Sequence, residues 1–189
     1  MKSIESTLLE LVAVQSDTGT ELERDIAAVI HGMIQDDDYF KAHPDQHGAY
    51  IGHDSLERPV IWALRRGATS RTIILMGHYD AVEIESYGQL KPFALKPHRL
   101  KEALKGMAFS SSSLVKDLED ERWLFGRGAA DMKAGIAINL HTLFTLQRED
   151  INLLFMAVPD EENLSSGALN SLPIYEALKK QFQLDYQLA

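Results

Sequence analysis

Three short segments of this chain place side chains that bind metals or transfer protons at the ends of apolar runs. They are residues 77–80 (Gly-His-Tyr-Asp), 126–133 (Gly-Arg-Gly-Ala-Ala-Asp-Met-Lys) and 159–163 (Pro-Asp-Glu-Glu-Asn). Imidazole and carboxylate groups bind zinc without sulfur, and a spare carboxylate beside the metal can accept a proton from water. The chain has no cysteine, so no thiolate site competes with this one. Together the segments indicate most of a two-metal hydrolase site.

The elements that must position these segments alternate between helix and strand. Apolar residues at helical spacing predict amphipathic helices near residues 4–12 and 22–33, the second preceded by a capping box of Thr20 and Glu23. The other predicted elements are strands at 60–64, 73–76 and 153–158 and a buried helix at 132–146. Apolar strands separated by helices predict an α/β fold, a three-layer α/β/α sandwich with a largely parallel mixed sheet. The strands that end at Met76 and Val158 should be central and adjacent to the site.

This architecture explains why the three segments should meet. In open α/β sheets ligands bind outside the carboxyl ends of the strands. His78, Glu161 and Glu162 follow strands directly, and Asp131 lies where the next helix begins.

Each residue also has a structural alternative. A single histidine after a strand is often a hydrogen-bonded structural residue, and Asp131 could cap the helix that follows it. Glu161 and Glu162 could be a charged helix start that the helix dipole stabilises. The presence of Asp80 beside His78 and of the later carboxylates in the same chain favours metal ligands over these structural roles. The other six histidines lack such a pattern and are interpreted as structural or surface residues.

Composition narrows the class of protein. At 189 residues, 45% apolar and 25% charged, the chain is expected to form one globular domain over residues 1–189. The formal charge of −9 argues against nucleic acid or an anionic membrane as a partner. There is no apolar stretch long enough for a membrane span and no signal-peptide pattern at the start, so a cytoplasmic location is expected.

The three segments resemble the motifs of peptidase family M-twenty, the co-catalytic zinc hydrolases that include aminoacylases, carboxypeptidase G-type enzymes, acetylornithine deacetylase and several dipeptidases. The family motifs are an apolar strand followed by Gly-His-x-Asp, then Gly-Arg-Gly-x-x-Asp-Met-Lys, then a strand followed by Asp-Glu-Glu. All three occur here in that order, and the resemblance covers residues 1 to about 170. An expected insertion at 87–120 and Pro159 before Asp160 resemble the bacterial arginine-utilisation (RocB-type) branch.

The resemblance implies a role for each motif residue. His78 would bind one zinc ion, with Asp80 fixing its tautomer, and Asp131 would bridge to a second zinc ion bound by Glu162. Glu161 would be the general base that deprotonates the bridging water. A complete site would hold two zinc ions, with cobalt or manganese as substitutes. The peptide bond after Asp131 is expected to be cis.

The resemblance also implies residues that this chain does not supply. Family members add a further aspartate, a late histidine and an inserted lid and dimerisation domain, and neither ligand follows Glu162 in a matching position. We therefore expect an N-terminal part of a catalytic domain without the lid domain, inactive by itself, with homodimerisation only through the missing domain.

The implied function is hydrolysis of amide or peptide bonds in small peptides or N-acyl amino acids, with arginine or amino-acid degradation as the finer expectation. The alternative is a non-catalytic module that keeps a partial metal site. An aspartate soon after residue 189, then a lid domain and a late histidine, would favour the enzyme.

Overall fold

The computed structural model describes residues 2–187. Its α-helices are α1 (Ile4–Val12), α2 (Glu23–Asp36), α3 (Asp38–Ala42), α4 (Pro97–Lys105), α5 (Ser112–Glu119), α6 (Ala134–Thr145), α7 (Ser166–Asn170) and α8 (Leu172–Phe182). Its strands are β1 (His47–Tyr50), β2 (Val60–Arg65), β3 (Arg71–His78), β4 (Asn152–Val158) and β5 (Asp185–Tyr186). Short helical turns lie at Pro44–Gln46, Glu85–Phe93 and Ala129–Lys133.

The five described strands form one mixed sheet in the order β1-β2-β4-β3-β5. β3 runs parallel to both β4 and β5, whereas β2 runs antiparallel to both β4 and β1. Four strands therefore point the same way and only β2 is reversed, which confirms the predicted mixed sheet. β4 lies at the centre of the sheet with β3 next to it, and their register places His78 beside Val158.

Helices cover both faces of the sheet, as a three-layer sandwich requires. Alternate residues of β4 point to opposite faces, so Phe155 contributes to the core under α1, α2 and α6, and Met156 contributes to the core under α8. The first core includes Leu11, Ile26, Ile30, Ile136 and Leu140, and the second includes Leu64, Leu154, Leu178 and Phe182. Burial of β4 on both faces explains its unbroken apolar sequence.

Three local predictions need correction. The capping box is wrong: α2 begins at Glu23 with Leu22 before it, and Thr20 Oγ1 donates to the backbone oxygen of Asp17 instead. The buried helix begins at Ala134 rather than 132, because the preceding turn keeps non-helical backbone angles at Asp131. β1 was not predicted.

The segment predicted as an insertion contains ordered helices. α4 and α5 lie within 87–120, and Lys101 of α4 donates to the backbone oxygens of Asp120 and Trp123 just beyond α5. Its origin as an insertion stays a prediction. None of the helices that the structure describes is both long and apolar enough to cross a membrane.

Candidate metal centre

The carboxyl edge of β3 and β4 brings the predicted metal ligands together. His78 is the last residue of β3, Glu162 follows β4, and Asp131 lies in the turn before α6. One ligand atom from each of the three lies within 4.8 Å of the others. The Nε2 atom of His78 is 3.0 Å from Oδ1 of Asp131. Parallel pairing of β3 with β4 creates this meeting point.

The turn that carries Asp131 depends on close backbone packing. Gly128 adopts a left-handed conformation with φ of +67°, and a Cβ added there would lie 2.9 Å from Cβ of Ala81. Both conditions disfavour any residue with a side chain. The Asp131–Met132 peptide bond is cis, as expected from the family resemblance. The side chain of Asp131 is 76% exposed and faces His78.

Asp80 joins His78 to the loop that follows β4. Its side chain is fully buried, and its carboxylate accepts hydrogen bonds from the backbone N–H of Glu161 (3.0 Å), from that of Glu162 (3.1 Å) and from the Thr18 hydroxyl (3.0 Å). The Nδ1 atom of His78 lies 3.1 Å from the backbone oxygen of Asp80 and 3.4 Å from its carboxylate. Burial raises the pKa of Asp80, but these hydrogen bonds outweigh it and the pKa is lowered overall.

The two glutamates after β4 occupy different positions. Glu162 completes the cluster with His78 and Asp131, whereas Oε2 of Glu161 is 3.7 Å from Nε2 of His78 on a half-exposed side chain. Burial, and next the negative charge of Asp131, raise the pKa of Glu162. The edge therefore gathers several carboxylates around one imidazole, an excess of negative charge that a bound cation would offset. Imidazole nitrogen and carboxylate oxygen without sulfur suit zinc, and also manganese or cobalt.

The imidazole of His78 responds to the same charges. Burial lowers its pKa, yet hydrogen bonds to Asp80 and Asp131 raise it to about 9. The ring is therefore protonated at neutral pH when no metal is bound, and it must lose that proton to become a ligand.

Sequence reasoning missed two residues that support the centre. Thr18 hydrogen-bonds the carboxylate of Asp80, and nothing in its sequence context indicates this. Lys133 is buried and donates to the backbone oxygen of Val14, and burial lowers its pKa to about 8. Its position at the end of the second motif, residues 126–133, could have indicated that it lies near the centre.

The six other histidines, predicted as structural or surface residues, lie away from the candidate centre in the part of the chain that the structure describes. His31 and His47 contact each other, with Nε2 of the first 3.2 Å from Nδ1 of the second. No histidine besides His78 joins a cluster of potential metal ligands among the described residues.

Comparison with known proteins defines the class of this protein. The sequence profile described as peptidase family M20/M25/M40 matches residues 74–189, a range that contains all the candidate site residues. The chain therefore belongs to this family of metal-dependent hydrolases, and the candidate metal centre is consistent with that membership.

Two proteins of Bacillus subtilis (strain 168) resemble this chain in sequence. Protein RocB is 35% identical over an alignment of 193 positions, which covers 98% of this chain and 34% of RocB. The uncharacterized protein YqjN is 34% identical over 181 residues, which cover 94% of this chain and 33% of YqjN. The similarity to RocB confirms the predicted resemblance to the RocB-type branch. The chain spans about a third of the length of each of these relatives.

Human carnosine dipeptidase 1 is similar in fold. Its structure superposes with a TM-score of 0.57 at 20% sequence identity, over 97% of this chain and 37% of the dipeptidase. At this identity the likeness shows the fold alone.

Proposed function

We propose that this chain forms part of a two-zinc hydrolase that cleaves amide or peptide bonds in small peptides or N-acyl amino acids. The observation that carries the proposal is the convergence of His78, Asp131 and Glu162 within 4.8 Å, with Glu161 beside them. Family membership supports hydrolysis, and the donor atoms support a divalent cation.

The three ligands divide between two cations in this proposal. His78 would hold one cation through its imidazole, Glu162 would hold the other, and Asp131 would contribute to both. A divalent cation bound here supplies Lewis acidity, which polarises the scissile carbonyl and makes water more acidic. In the neutral ring the Nδ1–H of His78 would donate a hydrogen bond to Asp80, which leaves Nε2 free to act as a ligand.

Glu161 is the proton carrier of the reaction. Its side chain is half-exposed and close to the ligands, so it can reach a water molecule that attacks the carbonyl carbon. Glu161 accepts a proton from that water and donates it to the leaving nitrogen as the carbon–nitrogen bond breaks. Its neighbour Glu162 faces the cluster, which lets adjacent glutamates have different roles.

Among the described residues, one cation would have only His78 and Asp131 as ligands, and the other only Glu162 and Asp131. Each ion would therefore be incompletely coordinated. We therefore propose that the 189-residue chain alone binds zinc weakly and hydrolyses no substrate detectably. The longer protein, with the further aspartate and late histidine that the family resemblance implies, would hold both ions. A cytoplasmic location, dimerisation through the lid domain and a role in arginine or amino-acid degradation belong to the same proposal.

The experiment compares three glutamine variants of the longer protein in an amide-hydrolysis assay, with zinc content measured in parallel. Glu161→Gln should keep both metals but lose about 100-fold or more in rate, because it removes a proton acceptor and no ligand. Glu162→Gln should weaken binding of one ion. Glu149→Gln is the control, since Glu149 is exposed at the opposite end of the sheet.

Two results would contradict the proposal in different ways. Unchanged turnover in the Glu161 variant would show that Glu161 does not carry the proton. Tight metal binding without any amide hydrolysis by the longer protein would favour the non-catalytic module instead.

A further inference from the structure

A buried ionic cluster lies behind the loop that carries the two glutamates. The Nη1 atom of Arg58 donates to Oε1 of Glu23 at 2.7 Å and to Oδ1 of Asp160 at 2.9 Å. Its Nε and Nη2 atoms donate to Asp54. Arg58 is 6% exposed, Glu23 0% and Asp160 3%. Charged groups this deeply buried are costly unless they are paired, and all of these are paired.

The cluster fixes Asp160 through both its side chain and its backbone. The backbone N–H of Asp160 donates to Oε2 of Glu23 at 2.9 Å. Its second carboxylate oxygen accepts the Ser166 hydroxyl at 2.5 Å, and its carbonyl accepts the backbone N–H of Ser165 at 2.8 Å. Asp160 also has a φ of +64°, a conformation uncommon for residues other than glycine. Surrounding contacts must therefore hold it there.

This placement sets the direction of the next two residues. Glu161 and Glu162 follow Asp160 directly, and their backbone N–H groups donate to Asp80 on the metal side of the loop. The loop is thus held from two sides, by Asp80 in front and by Arg58 with Glu23 behind. A guanidinium has a planar fork with fixed donor directions, so it specifies orientation where a lysine ammonium would not.

We propose that Arg58 is a positioning residue for the metal centre: it holds Asp160 so that Glu162 faces His78 and Asp131 while the Glu161 carboxylate lies beside this cluster. The inference rests on the proposed function, because the direction of the glutamates matters only if they bind metal and carry a proton. No contact between Arg58 and substrate is required.

Arg65 provides a matched control. It is also a buried arginine, 8% exposed, and it pairs with Asp37 and donates to the backbone oxygen of Leu143. It lies at the far end of β2, opposite Leu153 on β4, whereas the metal centre lies beyond Val158. Loss of Arg65 should disturb the fold without redirecting the glutamate loop.

The experiment titrates Co²⁺ into the 189-residue chain and into the variants Arg58→Met, Arg58→Lys and Arg65→Met, with absorption spectra recorded and unfolding midpoints measured. Both methionine variants should lower the midpoint. Only Arg58→Met should also weaken Co²⁺ binding, by about tenfold or more, and change the Co²⁺ absorption band, as expected when a residue that orients metal ligands is lost. Arg58→Lys should restore part of the affinity.

The outcomes separate this inference from the proposed function. If the unsubstituted chain binds Co²⁺ and Arg58→Met binds it equally well with the same spectrum, Arg58 has no positioning role. If the unsubstituted chain binds no Co²⁺ at all, the metal centre itself is refuted and this inference with it. Should Arg58→Met fail to fold, Asp160→Asn provides the same comparison, because it keeps the backbone and side-chain shape but weakens the pair with Arg58. If Asp160→Asn then bound Co²⁺ as tightly as Arg65→Met does, the inference would be overturned.

Discussion

Replacement of Asp80 by asparagine tests the link between His78 and the glutamate loop. The two carboxylate oxygens of Asp80 accept the backbone N–H groups of Glu161 and Glu162, one each, and the Thr18 hydroxyl. Asparagine has only one acceptor oxygen. In either amide orientation its NH₂ group faces one of the two backbone donors, so at least one part-buried N–H loses its acceptor.

The expected size of the effect follows from these contacts. A hydrogen bond to a charged group contributes about 1.5–3 kcal/mol, and a buried donor left unpaired costs about 1–3 kcal/mol. Thr18 can reverse its role and accept from the new amide, so its contact is retained. Asp80→Asn should therefore lower the free energy of unfolding by about 2–4 kcal/mol.

The same substitution should lower the pKa of His78. With Asp80 present this pKa is raised from 6.5 to about 9, so protonation of His78 stabilises the fold fully below pH 6.5. That contribution is lost as the pH rises through about 9. In Asp80→Asn the contribution should be smaller and its loss should be complete at a lower pH, because the negative charge beside Nδ1 is gone.

Denaturant unfolding at pH 7 without metal and an NMR titration of the His78 ring measure both effects. Asp150→Asn is the control, since Asp150 is an exposed partner of Arg148 and such surface pairs contribute little. Equal unfolding free energies for Asp80→Asn and the unsubstituted chain, or an unchanged His78 pKa, would refute the reasoning.

Three further predictions concern backbone packing and metal binding. Gly32→Ala, inside α2 with no atom within 4 Å of the added Cβ, should raise the free energy of unfolding by about 0.5–1 kcal/mol in denaturant titrations. Gly167→Ala should lower it by about 1–3 kcal/mol in the same assay, because its Cβ would lie 2.3 Å from the backbone oxygen of Pro159. Zinc affinity should rise about tenfold per pH unit below pH 9, since His78 must lose its proton on binding. Calorimetry in buffers with different ionisation heats would count that proton, and a pH-independent affinity would contradict the expectation.

The central strands could be predicted because their sequences carry the signal of their burial. β4 is buried along its whole length, and its apolar run stops where the strand stops. β1 carries no such signal. It is a four-residue edge strand, residues 47–50 (His-Gly-Ala-Tyr), without an apolar run, and antiparallel pairing with β2 defines it. That pairing joins residues 47–50 to residues 60–63 across a loop, and the pattern within residues 47–50 does not record it.

The candidate ligands could also be predicted, because each lies at a fixed offset from an element that the sequence identifies. His78 ends β3, Glu162 follows β4, and the parallel register of these strands brings the two together. Asp131 comes from the glycine-containing turn before α6. The motif spacing was therefore enough to predict which side chains meet at the proposed site.

The residues behind the ligands could not be found this way, and Glu23 shows why. Its spacing from Thr20 favours a local capping box, whose partner would be a nearby backbone N–H. In the fold Glu23 accepts the backbone N–H of Gly19, and it also pairs with Arg58, 35 residues along the chain. Arg58 in turn pairs with Asp160, 102 residues away. A local pattern can indicate the amide partner of Glu23 but not the buried guanidinium, whose charge-assisted hydrogen bonds are roughly twice as strong as neutral ones. Only the folded chain brings these groups together, so sequence spacing finds the residues proposed to hold the metal but not those that orient them.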